Sequence, residues 1–317
     1  MKYSNLFIYI IAGIAALCIL YGFLVEPRRL KLTRCELRLP GLPEKWQGRK
    51  IAFFSDIHAG TFYTPSLFAK AVTAVQEQKP DLILIGGDFV EERTNFKKES
   101  FRSHYAAELS RLSAPLGKFG IFGNHDTETS ENKIYVHDLL KDAGVTLLAN
   151  DAVNIDDMIL IGLEESFHQK PDLQAAMQRL NDGDNHVRDS KERDAVQVSG
   201  HCDTIPKHDM PNKHPHKTIP DSKKNLNRII MIHQPDDLPT PEATSERDLI
   251  LSGHSHKGQI TLFGQPLYTV EGGKERIYGY FRLHSGAQQI TTAGLGMVHI
   301  YARFFAPPEI VIIELNS

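Results

Sequence analysis

The sequence predicts an α/β fold of two packed sheets flanked by helices, carried behind one N-terminal membrane helix. Three observations predict it. Runs of β-branched and aromatic residues at 51–54, 82–85, 120–122, 229–232 and 249–251 end in, or lie close before, a short polar motif, as buried strands do where they give way to loops. Helical patterns alternate with strands early in the chain and strands dominate late, the order that builds layered sheets. The first residues form an apolar run unlike anything after it.

Residues 6–25 carry no charge, and roughly 20 apolar residues cross a bilayer as a helix. A cleaved signal has an apolar region of about 7–15 residues and a small-residue cleavage site, and neither fits here. Lys2 precedes the run; Arg28, Arg29, Lys31 and Arg34 follow it. That basic excess predicts a single-pass protein of the cell inner membrane with its domain on the cytoplasmic side, its neck lying against the lipid bilayer. Residues 1–34 are thus expected to be anchor and basic neck, and 35–317 the folded domain. After a strand and loop at 35–48, the strand at 51–54 opens the sheet. Thr64-Pro65 reads as an N-cap followed by proline at the first helical position, and Leu67, Phe68, Ala71, Val72 and Val75 recur at helical spacing. The strand at 82–85 completes a strand–helix–strand unit, so the two strands are expected parallel. Helices follow at 99–112 and 132–143, the second stopped by Gly144, with strands at 120–122, 145–148, 158–161, 229–232, 249–251, 259–262 and 310–315. The stretch at about 181–227 is polar and holds His186, His201, His208, His214 and His216. It reads as a solvated insertion, with a metal-collecting or substrate-covering loop as the alternative.

The 317 residues suffice for one large domain, and a net charge of -3 argues against a nucleic-acid surface. Cys18, Cys35 and Cys202 have no paired spacing, which excludes a disulfide framework or a cysteine zinc site. The chemistry lies in the polar motifs: Asp56-Ile57-His58, Gly87-Asp88, Gly123-Asn124-His125-Asp126, His233-Gln234-Pro235-Asp236 and Gly253-His254-Ser255-His256. Loops at strand ends place such groups over one rim of a rigid sheet. Carboxylate, amide and imidazole donors converging there suit divalent ions that activate water, and there are enough for two. Asp56 and His58 are two apart, as are His254 and His256, and in extended chain such pairs point the same way. Alone, each histidine reads as a hydrogen-bonded core residue; the set does not.

This series resembles the calcineurin-like metallophosphoesterase family over about 50–260, outside the insertion. The leading helix, the segment His256-Lys257-Gly258-Gln259-Ile260 and the tail from Arg303-Phe304-Phe305 resemble its membrane-anchored bacterial branch. The resemblance implies an αββα sandwich of two mixed sheets and two divalent metal ions, Mn2+ first, with Mg2+, Fe2+ or Zn2+ as alternatives. It implies Asp56, His58 and His256 on one ion, Asn124, His233 and His254 on the other, and Asp88 bridging them. His125 is then a non-ligand that contacts phosphate and assists the leaving oxygen, with Asp126 orienting it. Two positions depart from the pattern. Glu91 stands where purple acid phosphatases have tyrosine, which argues against a ferric tyrosinate. Lys257 stands where glycine is common, and reads either as a loop charge or as a cation aimed at phosphate. The family includes UDP-2,3-diacylglucosamine pyrophosphatases of lipid A synthesis, so a phosphorylated, nucleotide-linked lipid is the expected substrate, cleaved to lipid X and UMP. General phosphodiesterase activity is the alternative, and a metal-poor scaffold is a third reading that the complete ligand set disfavours. The oligomeric state is not encoded in any motif.

Overall fold

The computed structural model describes residues 2–91, 98–181, 226–238 and 243–317, so the expected insertion at about 181–227 falls almost wholly outside the described residues. Helix α1 spans Lys2–Leu20, then passes through a π-helical turn, Tyr21–Val25, and a 3-10 turn, Glu26–Arg28. The segment Asn5–Arg28 is long and apolar enough to cross a membrane, and Leu6, Phe7, Ile14 and Leu17 all lie on its exposed surface.

The strands are β1 (Lys31–Arg38), β2 (Lys50–Phe54), β3 (Leu82–Ile85), β4 (Lys118–Gly120), β5 (Thr146–Leu147), β6 (Asp151–Ile155), β7 (Met158–Gly162), β8 (Arg228–Met231), β9 (Asp248–Ser252), β10 (Thr261–Leu262), β11 (Gln265–Pro266), β12 (Gly279–Arg282), β13 (Gln288–Thr291) and β14 (Glu309–Asn316). The helices after α1 are α2 (Pro65–Glu77), α3 (Glu99–Ser110), α4 (Asn124–Thr127), α5 (Ser130–Asp142) and α6 (Leu173–Asn181). One six-stranded sheet runs β1-β14-β2-β3-β4-β5 and the other β12-β13-β9-β8-β7-β6. Strands β2 to β5 are parallel, as are β7, β8, β9 and β13, while β14 lies antiparallel to β2, β12 to β13 and β6 to β7, so both sheets are mixed.

Alternation along the strands makes the layers. Ile51 and Phe53 of β2 point between the sheets, with Leu84, Leu160, Ile229, Leu249 and Ile290. Ala52 and Phe54 point the other way, under Phe68 and Val72 of α2 and Val136 and Leu139 of α5. On the far side Ile159, Ile161, Ile230 and Ile250 lie under Leu173, Ala176 and Met177 of α6. The result is an αββα sandwich whose central strands are buried on both faces, which is why they read as unbroken apolar runs. Thr64 caps α2 by accepting from Leu67 N at 3.3 Å, with Pro65 at the first position.

Three local expectations change. Of the strand expected at 259–262 only Thr261–Leu262 forms, as β10: the left-handed backbone of Lys257, Gly258 and Gln259 turns the chain away from both large sheets, and β10 pairs with β11 in a separate two-stranded ribbon. The strand expected at 120–122 ladders earlier, at Lys118–Gly120, because Ile121 and Phe122 already lead into the site loop. Strands β6, β11, β12 and β13 and helices α4 and α6 appear where no element was expected.

Candidate metal centre

Every polar motif sits just past the C-terminal end of a strand. Asp56 and His58 follow β2, Asp88 follows β3, Asn124 and His125 follow β4, His233 follows β8, and His254 and His256 follow β9. Strands β2, β3 and β4 belong to one sheet and β8 and β9 to the other, so the site lies across the rim of both layers.

Extended alternation is not how the paired residues converge. Asp56 (φ 52°), His58 (φ 41°), Asp88 (φ 54°), His254 (φ 66°) and His256 (φ 50°) all have left-handed backbone, which costs a non-glycine residue of order 1–3 kcal/mol. Hydrogen bonds between loops hold it: Asp56 N to Gly87 O at 2.9 Å and His58 N to Asp88 O at 3.0 Å. Close approach makes glycine necessary at Gly123, where a Cβ would strike the Asp88 carboxylate, and at Gly253, where it would strike Ser55 and Asp56.

The donors form contiguous clusters. Asp56, His58 and His256 offer ligand atoms within 4.8 Å of one another, as do Asp88, His233 and His254, and also His58, Asp88 and His125. His58 Nε2 faces His256 Nε2 at 3.1 Å, and His256 Nε2 lies 3.5 Å from Asp56 Oδ1. Asp88 Oδ2 is 3.1 Å from His233 Nε2 and 3.5 Å from His58 Nε2, which places this carboxylate between the two histidine groups. Asn124 is buried beside them, its Oδ1 3.5 Å from Gln234 Nε2. His125 is half-buried, its ring 5.0 Å edge-on from that of His58 and 6.4 Å from that of His299.

The outer atoms fix which nitrogens face inward. His233 Nδ1 is 2.7 Å from Gly86 O and His254 Nε2 2.8 Å from Glu271 O. Each carbonyl accepts a proton and leaves the other ring nitrogen for the site, as carbonyls behind ligating histidines do. His233 Nε2 is buried 3.1 Å from Asp88 Oδ2. Burial and the neighbouring His233 push His254 down to about 4. Burial, His58 and Arg303 push His256 well below the usual imidazole range. Both are therefore neutral, the form that ligates. Burial opposes charge on Asp88, yet His233, His125 and His58 hold its carboxyl well below the usual range. Burial opposes charge on His233, yet Asp88 pushes it up to about 10. Imidazole nitrogens packed against one another around a buried, ionised carboxylate form a donor set that fits divalent cations.

Several contributors carry no motif. Ser55 donates to Asp56, and His254 N bonds Asp56 Oδ1 at 2.9 Å. Arg303 is wholly buried; its guanidinium donates to Gly296 O and Ala306 O and lies 3.4 Å from His256 Nδ1. Glu165 accepts from Thr127 Oγ1 at 2.8 Å and Gln234 Nε2 at 3.4 Å, behind Asn124. An arginine or glutamate remote in sequence gives no local signal of this. Both oxygens of Asp126 accept backbone amides, Phe89 N at 2.8 Å and Gly123 N at 2.9 Å, tying the Asp88 loop to the Asn124 loop. Glu91 is buried and accepts from Tyr301 OH at 3.1 Å. Lys257 is half-buried with its Nζ 4.5 Å from the centre of the Tyr278 ring, a cation–π contact in place of a free loop charge. A cavity of about 660 Å³ opens elsewhere, between the edge strands β1 and β12, and holds none of the clustered donors.

The calcineurin-like phosphoesterase family profile matches residues 49–258, a span that begins at β2 and includes every clustered donor. Phosphodiesterase YaeI of Escherichia coli is 30% identical over 84% of this chain and 82% of its own length. The uncharacterized metallophosphoesterase YkuE of Bacillus subtilis is 27% identical over 94% and 89%. The UDP-2,3-diacylglucosamine pyrophosphatase LpxG of Chlamydia muridarum is 27% identical over 92% and 90%. With the αββα sandwich and its donor clusters, this likeness along nearly the whole chain shows that the protein belongs to the calcineurin-like phosphoesterases and is a hydrolase of phosphoric esters.

Proposed function

We propose that the protein is a membrane-anchored, two-metal phosphoesterase that cleaves the diphosphate of a nucleotide-linked lipid, with UDP-2,3-diacylglucosamine as the first substrate to test. The observation that carries this reading is the short path from anchor to site. Arg303 N bonds Gly22 O at 2.9 Å at the base of the apolar helix, and the same residue's guanidinium backs His256. A site so close to the end of a membrane helix favours a substrate resident in the bilayer, and the likeness to LpxG supplies the lipid class. The excess of Arg28, Arg29, Lys31 and Arg34 after the apolar run over Lys2 before it supports a cytoplasmic domain.

Asp56, His58 and His256 hold one ion in this reading, and Asn124, His233 and His254 the other, with Asp88 shared. Two divalent ions, manganese the first to assay, supply Lewis acidity and a nucleophile from water at neutral pH. The chain's own residues do the rest. Asp88 stays ionised between the two groups of histidines. Hydrolysis forms a bond from a water oxygen to phosphorus and breaks the bond to the leaving oxygen, which then needs a proton. His125, half-buried at the open side, is placed to meet phosphate and give that proton. Asp126 acts through the backbone that carries His125, by binding Gly123 N.

The test is product release from purified full-length protein. UMP should appear from UDP-2,3-diacylglucosamine in lipid at a kcat/KM well above that for bis(p-nitrophenyl) phosphate. Hydrolysis of the aryl diester alone would favour the second reading, a general phosphodiesterase, which the likeness to YaeI supports.

A further inference from the structure

The ribbon of β10 and β11 has no place in either sheet, and it presents apolar residues to solvent. Phe263 at its tip is 100% exposed, Leu267 63% and Tyr268 70%, with Leu262 also exposed. A phenylalanine at the end of a ribbon adds nothing to a core and costs free energy in water.

The ribbon's position explains the exposure. Ile260 bridges to Phe304, and Thr261 N bonds Phe304 O at 2.8 Å. On its other side the same segment meets the base of α1: the rings of Tyr21 and Phe304 are edge to face at 6.1 Å, and Arg303 N bonds Gly22 O. Residues 303–305 are thus shared between the ribbon and the apolar helix. Phe305, Ile300 and Phe62, the last stacked on Tyr301 at 3.8 Å between centroids, continue the exposed apolar surface. Exposed Arg28 and Arg29 stand at the level where the helix ends, the height at which basic and aromatic side chains meet lipid headgroups.

We propose that the β10–β11 ribbon is a second membrane-contact element, with Phe263 and Leu267 inserted into the leaflet that α1 enters, so that the metal site opens onto the lipid surface. The proposal rests on the anchoring reading given above. Its occupant is lipid because the patch is continuous with the surface of a helix apolar on all sides. The ribbon also starts directly after the ligand loop: Gly258 packs so closely on Pro266 and Tyr268 O that a Cβ there would clash. Seating the ribbon in lipid therefore positions His256 relative to the membrane plane.

Depth measurement tests this on the full chain in phosphatidylcholine–phosphatidylglycerol vesicles. Nitroxides would be placed singly at Phe263→Cys, Ile14→Cys and Glu77→Cys in a background with Cys18, Cys35 and Cys202 replaced by alanine. Turnover of bis(p-nitrophenyl) phosphate would verify that each labelled protein is folded. The label at 263 should be relaxed by oxygen and shielded from a water-soluble nickel chelate, as at 14 and unlike at 77, where the end of α2 is on the opposite rim. Nickel access at 263 equal to that at 77, with 14 still shielded, would overturn the ribbon proposal alone. Nickel access at both 14 and 263 would overturn the anchoring reading with it. Dipolar broadening between labels at 263 would overturn it in favour of a second copy of the chain as occupant.

Discussion

Asp88 is the residue on which the two halves of the site depend, because its Oδ2 faces histidines of both sheets: His58 beside β2 and His233 beside β8. Asp88→Asn keeps the shape and removes the charge. Metal content and turnover should fall together, as read by elemental analysis and aryl diester hydrolysis; near-normal turnover with both ions retained would exclude the shared role. His125→Ala should behave differently. Both ions should remain while turnover drops by about 10²–10⁴-fold, the usual range for a positioned acid. A leaving group that is already a stable anion should lose less, and loss of one ion would make His125 a ligand instead. The residue types of this site were readable from the sequence because carboxylates and histidines at the ends of apolar runs have no ordinary place in a core. Their backbone was not. Left-handed φ at Asp56, His58, His254 and His256 is imposed by contacts between loops far apart in the chain, and residue type alone favours ordinary β or helical conformation there.

Among the elements, β8 and β9 bear two of the site loops, and a buried ion pair clamps their far ends. Arg228 Nε donates to Asp248 Oδ1 at 2.7 Å, a second bond joins Arg228 Nη2 to Asp248 Oδ2, and Nη2 also reaches Ala243 O at 2.8 Å. Asp248→Ala leaves the guanidinium buried without its counter-ion, which typically costs about 3–5 kcal/mol. The variant should lose that much stability in urea titration while metal stoichiometry of the folded fraction is unchanged. Unbroken apolar runs made β2, β3, β8 and β9 legible, since both faces of these strands are covered. Strand β13 was not, because Gln288, Gln289 and Thr291 are polar yet buried. Gln289 Nε2 is satisfied by Pro235 O at 2.9 Å and Gln288 Nε2 by Arg38 O at 2.7 Å, partners that only the fold supplies. Strand β12 hides for the opposite reason: it is an edge strand with alternating exposure.

For the whole molecule, residues 303–305 tie the apolar N-terminal helix to the domain, with Arg303 N bonding Gly22 O at 2.9 Å and Phe304 edge-on to Tyr21. A phosphatase or fluorescent-protein reporter fused after Ser317 should behave as cytoplasmic; a periplasmic result would remove the case for a cytoplasmic nucleotide substrate while leaving the hydrolase chemistry intact. The strand order has a further consequence, for biogenesis. Strand β14 lies between β1 and β2, so β1, which starts just after the apolar helix, finds its neighbour only in a partner far along the chain: Thr33 and Glu309, which are hydrogen-bonded, are 276 residues apart. At roughly 5–20 residues synthesised per second, the apolar helix, on the anchoring reading proposed above, has many seconds to enter a bilayer before its adjoining strand can pair. During that interval β1 and β2 present unpaired edges, the kind of exposure that recruits chaperones. Ribosome-stalled chains ending before Glu309 should therefore be membrane-integrated yet protease-sensitive throughout the region after Lys31, and should become resistant only once β14 has emerged.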